Sequence, residues 1–183
     1  MLYTLGFVLY GDILAKLMNL AMSLLVAACA YLLGSRVLPG GGRQAGWLSA
    51  CLLFLMPVYT FLSTQAYTDI EVCLYVFLCL WAVLRAGESA GENQGTAWVC
   101  LAGLFGGAVY GFKYSGLVFT LTAGLLLLWV LRRQAKAVLV RRACLFGLLA
   151  VCAAGPWLAL NTLNTGNPIY PLLATRFPET HFN

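Results

Sequence analysis

Six apolar stretches, at about 13–34, 46–64, 68–86, 96–112, 115–131 and 143–160, leave this chain little freedom in what it can become. A helix needs about 20 apolar residues to cross the hydrocarbon core of a bilayer, and about 17 can suffice. Each stretch meets that length. The chain therefore reads as all-α: a polytopic transmembrane helical bundle with about six spans, forming one domain over residues 1–183 and ending in an external segment, 161–183. Composition agrees. The apolar share is 62% and the charged share 9%, and a mean hydropathy of +0.87 excludes an ordinary soluble domain, whose apolar share is about half.

The few charges orient the spans. Eight of the eleven Lys and Arg fall in three polar gaps: Arg36 and Arg43, then Arg85, then Arg132, Arg133, Lys136, Arg141 and Arg142. Cationic loops stay cytoplasmic. Anchoring loop 132–142 there and counting back through the spans puts the gaps 86–95 and 34–45 on the same side. Asp12, Asp69, Glu71, Lys113 and everything after Leu160 then lie on the opposite face. Lys16 alone runs against the pattern, and near a helix end it snorkels outward. The net charge of +5 is thus accounted for by loops, and nucleic acid is not an expected partner. The first cation is Lys16, so no basic region opens a secretory signal peptide.

Other features read as structural. The seven cysteines sit inside apolar runs, form no CxxC, and are expected to be small buried hydrophobes. Gly40-Gly41-Gly42 lacks the Lys-Ser/Thr end of a phosphate-binding loop and reads as a linker. The run 96–131 as one helix would be about 54 Å long, against a bilayer core of about 30 Å. It must break, and Gly111-Phe112-Lys113-Tyr114-Ser115-Gly116 is the expected place. Gly103, Gly107, Gly111 and Ser115, four residues apart, make a stripe for close helix packing. Pro57 and Pro156 are expected to kink the second and sixth spans.

Three places carry chemistry-bearing residues on the non-cytoplasmic face. Asp69 opens the third span behind Tyr67 and Thr68; it suits either an N-cap or a reactive acid. Glu71 stands about 200° further round the helix, and of the two acids the polar flank favours Asp69 as the one facing inward. Lys113, with Phe112, Tyr114 and Ser115, suits either snorkelling or an anionic headgroup or phosphate. Asn161 to Pro171, including Asn167 and Tyr170, is a turn-rich exit from the last span. His181 has no acids at ligand spacing and is not a metal candidate.

Three segments in this order are familiar: Pro57 with Ala66-Tyr67-Thr68-Asp69, Gly103 to Leu117, and Pro156-Trp157 with Asn161 and Thr165-Gly166-Asn167-Pro168-Ile169-Tyr170-Pro171. Together they resemble the bacterial protein-mannosyltransferase-like and aminoarabinose-transferase-like branch of the GT-C membrane glycosyltransferases. The resemblance implies transfer of a sugar from a polyprenyl-phosphate carrier to an acceptor at the non-cytoplasmic face of a bacterial inner membrane. It implies Asp69 as the catalytic or metal-binding acid, a divalent metal as the cofactor to consider, and Lys113, Tyr114, Tyr67, Asn167 and Tyr170 on the substrate side. The expected partners are the polyprenyl-phosphate-linked sugar donor and membrane lipids. The chemistry is coherent, since an acceptor hydroxyl must lose a proton and a departing phosphate needs compensating charge.

The family's first helix and first large external loop would precede the first span, where only Met1–Gly11 stands. Asp12 leads directly into a span and does not take the role of first-loop base. The chain thus reads as an internal piece of a longer enzyme. The alternative class is a non-catalytic polytopic membrane protein, a scaffold or part of a transporter. A transporter should carry paired ionisable or unwound positions near mid-membrane, and here the mid-span regions are nearly free of charge.

Overall fold

The computed structural model describes residues 2–37 and 42–173. Most of the expected glycine linker and the end of the external segment, 174–183 with His181, lie outside the described residues. Seven α-helices follow in order: α1 (Leu2–Val37), α2 (Gly42–Leu55), α3 (Pro57–Ser63), α4 (Asp69–Glu88), α5 (Glu92–Phe112), α6 (Gly116–Leu131) and α7 (Lys136–Thr165). The described residues contain no strand. Four of these helices are long and apolar enough to cross a membrane, and the bent pair α2–α3 makes a fifth candidate. The shorter apolar α6 occupies the remaining expected position. The chain is an integral membrane protein of the expected class, and it divides into two compact units, Met1–Phe77 and Leu78–Asn183.

In the first unit, α1 is broken at Tyr10 (φ −153°, ψ 27°) and Gly11 (φ 69°, ψ −160°). Gly11 lies in the left-handed region, which costs glycine nothing. The preceding turns fold back: a Cβ on Gly6 would stand 3.2 Å from Met18 Sδ and 3.4 Å from Ala15 Cα. The expected first span begins just past this break. Lys16 there pairs with Asp12 at 2.8 Å, one helical turn away. Further on, α1 and α2 touch almost backbone to backbone, since a Cβ on Gly46 would meet the Tyr31 carbonyl oxygen at 2.8 Å.

The expected second span, 46–64, is two helices bent by 77°. Pro57 is the cause, but as a helix start. It occupies the first turn of α3, where its missing N–H loses no bond and its fixed φ suits the helix. The far end of α3 is satisfied from α1. The fully buried Asn19 donates from Nδ2 to the Leu62 carbonyl at 2.6 Å and also to that of Gln65. Tyr59 donates from its hydroxyl to the Ser23 carbonyl at 2.7 Å. These bonds fix the strand of chain leading to α4. Asn19→Leu is expected to lower stability by about 1–3 kcal/mol, because the Gln65 carbonyl loses this donor while that of Leu62 keeps the Gln65 N–H; the readout is a fall in Tm by circular dichroism in detergent. An unchanged Tm would remove Asn19 from this role.

In the second unit, α5 and α7 lie side by side and run in the same direction. A Cβ on Gly95, Gly103 or Gly107 would meet, in turn, Arg142 Nη2 at 2.6 Å, Phe146 O at 2.7 Å and Ala150 O at 2.1 Å. Both series ascend, so the helices are parallel and α6 returns between their ends. The facing stripe on α7 is Arg142, Phe146, Ala150 and Ala154, all buried. The expected packing stripe is therefore real but begins two turns earlier on α5, at Gly95, and stops short of Gly111, where nothing lies within 4 Å of an added Cβ. From α4, Ala82, Val83 and Ala86 join this core, and Cys79 donates from Sγ to the Ala102 carbonyl at 3.3 Å.

Two further expectations change. The last helix starts at Lys136, not near 143, so Arg141 and Arg142 stand on it, and its helical run continues through Pro156. At about 45 Å, it outreaches a bilayer core and carries both ends into the headgroup region. The cysteines are all free, and only Cys79 is buried; Cys51, Cys73, Cys144 and Cys152 are exposed. An outward helix face in lipid is as apolar as a core, so thiols are tolerated there.

Candidate functional site

The parallel run of α5 and α7 gives the second unit two distinct ends. At one stand the gap before α5 and the cationic gap before α7. At the other stand the α5–α6 turn and the segment after α7, which together hold Lys113, Tyr114, Asn167 and Tyr170.

The α5–α6 turn forms where the glycines predict it. Lys113 is extended (φ −152°, ψ 131°) and its N–H still reaches the Val109 carbonyl. The Gly116 N–H closes onto the Lys113 carbonyl at 2.8 Å. Gly116 is required here, because a Cβ on it would stand 2.4 Å from the Val109 oxygen. Lys113 and Tyr114 are exposed at the tip of the turn.

After α7 the chain is ordered by two buried asparagines. Gly166 ends the helix in the left-handed region (φ 70°) with its N–H on the Thr162 carbonyl, and Pro168 prevents resumption. Asn161 donates from Nδ2 to the Pro168 carbonyl at 3.3 Å. Asn167, 2% exposed, donates to the Leu172 carbonyl at 2.8 Å and accepts from the Ile169 N–H at 3.0 Å. Its amide is spent on the loop, so Asn167 shapes this site from within. Tyr170 is half-buried and remains presentable.

Beneath these two segments lies an open-sided cavity of about 660 Å³ between α6 and α7. Tyr110, Leu117, Leu158 and Ile169 line it near the turn, and Leu128 and Ala143 line it toward the other end. Its wall is apolar almost throughout. The Tyr110 hydroxyl is buried there without a hydrogen-bond partner. A groove of this kind accepts a hydrocarbon chain lengthwise.

Tyr67 and Asp69 belong to the first unit. The Val72 N–H bonds to the Thr68 carbonyl at 3.1 Å, which makes Thr68 the N-cap residue and places Asp69 at the first helical position. Asp69 is half-buried and Tyr67 exposed. The inward acid, against expectation, is Glu71: it is 5% exposed, and neither carboxylate oxygen has a hydrogen-bond partner. Rotation along α4 decides this, since Ile70, Glu71, Val72 and Leu74 are buried while Asp69 lies at the margin. The Thr68-x-x-Glu71 spacing was the available signal that this acid belongs to the helix start; its side chain nevertheless does not close a capping box. Among the described residues no three of His, Cys, Asp or Glu gather where they could hold a metal ion.

A protein-family model described as Domain of unknown function (DUF8201) matches residues 3–183. No curated protein and no solved structure matches the chain.

Proposed function

The chain belongs to the DUF8201 family, and from that starting point we propose that it is the membrane part of a GT-C-type glycosyltransferase, using a polyprenyl-phosphate-linked sugar at the outward face of a bacterial inner membrane. The observation that carries this reading is the apolar cavity between α6 and α7, with the Lys113 turn and the Tyr170 loop at one end of it. An isoprenoid chain lies along the groove. Its phosphate sits at the polar end, where the Lys113 ammonium offsets the charge that grows as the sugar departs. Within the second unit, Tyr114 and Tyr170 supply sugar-facing rings and hydroxyls, and Asn167 holds the loop that presents Tyr170. In the first unit, the resemblance assigns Asp69 as the base for the acceptor hydroxyl and Tyr67 as its substrate-side neighbour.

A photoactivatable polyprenyl-phosphate probe tests the reading. It should label peptides of α6 and α7 in membranes, and far more strongly than the corresponding polyprenol. Lys113→Ala should weaken that labelling about tenfold to a hundredfold, the worth of a charge-assisted hydrogen bond of about 1.5–3 kcal/mol. Equal labelling by the phosphate and the alcohol would sink the carrier assignment and favour a non-catalytic scaffold.

A further inference from the structure

The opposite end of the second unit holds a site of another kind. Arg142 lies on the second turn of α7 and is 3% exposed. Its Nη1 donates to Gln134 Oε1 and its Nη2 to the Glu92 carbonyl oxygen, both at 2.9 Å. Neither acceptor carries a formal charge, and Nε finds no partner. Glu92 is the nearby acid, and its carboxylate is engaged by Arg141. A buried guanidinium is thus left without an anion of its own.

Arg142 forms one wall of a recess of about 320 Å³, with Ser89, Gly91, Glu92, Gln134 and Val138. Two helices begin at this recess. The N-cap residues are Gly91 for α5 and Ala135 for α7, and neither provides a side-chain cap. The first helical bonds run from the Gly95 N–H to Gly91 and from the Leu139 N–H to Ala135. The amides before them have no acceptor within their helix, and both helix dipoles present their positive ends here. Such helix starts accept anions, and a buried cation between two of them strengthens that preference.

The recess adjoins a second cleft, of about 620 Å³, which Glu92 and Arg141 open and Cys144, Leu145 and Leu148 continue along the apolar length of α5 and α7. Arg132 lies over the Trp129 ring at 4.3 Å and Arg85 over that of Trp98 at 5.6 Å. Tryptophans paired with cations at a span's end mark the headgroup level of a bilayer. Exposed Arg141 lines the adjoining cleft, and exposed Lys136 begins α7 directly after Ala135 of the recess. Basic pockets between spans at this level receive lipid headgroups.

We propose that this recess binds the phosphate of an anionic phospholipid, with the adjoining cleft along α5 and α7 holding the beginning of one acyl chain. Arg142 is the central ligand. Gly95 is part of the site, because any Cβ there would displace the guanidinium that lies against it. Such a lipid would tie the two loops preceding α5 and α7 together from the membrane side.

The purified full chain in zwitterionic detergent provides the test. Phosphatidylglycerol should raise Tm and be retained as a single bound lipid in native mass spectrometry. Phosphatidylcholine, diacylglycerol with the same acyl chains and millimolar inorganic phosphate should do neither. Arg142→Gln should weaken phosphatidylglycerol binding at least tenfold, while Arg133→Gln should leave it within threefold. Equal effects of phosphatidylglycerol and phosphatidylcholine would overturn the proposal, as would equal losses in the two variants. Protection by inorganic phosphate alone would assign the site to a free anion instead. If Arg142→Gln fails to fold, the four-ligand comparison on the unsubstituted chain decides the matter.

Discussion

Gly107→Leu is expected to prise α5 from α7 and leave the second unit without its main contact. A Cβ at this position would fall 2.1 Å from the Ala150 carbonyl oxygen. That oxygen is backbone, so no rotamer change relieves the clash, and the helices must move apart. Overpacking by even one or two methylenes costs about 1–3 kcal/mol in a close-packed interior, and a leucine adds more than that. In membranes there is little hydrophobic force to press the helices back together, because lipid solvates them as well as they solvate each other. SDS-titrated unfolding followed by circular dichroism should show the loss, and limited proteolysis should newly cut the loop between α6 and α7. Gly111→Ala gives the contrast: with nothing near its Cβ, it should be neutral or stabilising by about 0.5–1 kcal/mol through helix propensity. A Gly107→Leu protein as stable as the parent would mean that the two helices do not pack as described.

The second large effect concerns chemistry. If Asp69 removes the acceptor proton, Asp69→Asn should reduce sugar transfer by about 10²–10⁴-fold, the usual contribution of a positioned base. The amide keeps the size of the side chain, so Tm should not move. The assay is transfer of labelled sugar from its polyprenyl phosphate in membranes holding the protein in its native assembly. Activity within twofold of the parent would take Asp69 out of the reaction. Glu71→Gln belongs in the same experiment, because Glu71 is the buried acid of that helix turn.

The existence and order of the helices could be read from sequence because hydrocarbon thickness imposes a length on each apolar run, and glycine and proline leave few places to break. The turn at Lys113–Ser115 illustrates this: two glycines and a charge marked it, and Gly116 proves sterically necessary. What depended on rotation about a helix axis was less legible. Tyr67 and Thr68 give Asp69 a polar flank, and that local flank pointed to the wrong acid; the apolar run that surrounds Glu71 announces no face that would show it turning inward. The glycine stripe is legible on the right face but not in its extent: Gly95 reads as the end of a polar loop, and Gly111 continues the same spacing with nothing beside it. Arg142 counted as one of five loop cations. Charge counting orients a span, but it does not say which cation folds inward onto neutral acceptors. The bend at Met56 was likewise hidden, since Pro57 reads equally as a kink within one helix and as the first residue of another.

The parallel pairing of α5 with α7 also has a consequence for how the protein is made. The glycine face at Gly103 and Gly107 leaves the ribosome well before its partner stretch at Phe146–Ala150. At about 5–20 residues per second, α5 waits seconds for that partner. During the wait, α6 must already have turned back across the bilayer while the grooved face of α5 meets only lipid or the insertion machinery. The tightest joint of this unit is therefore closed last.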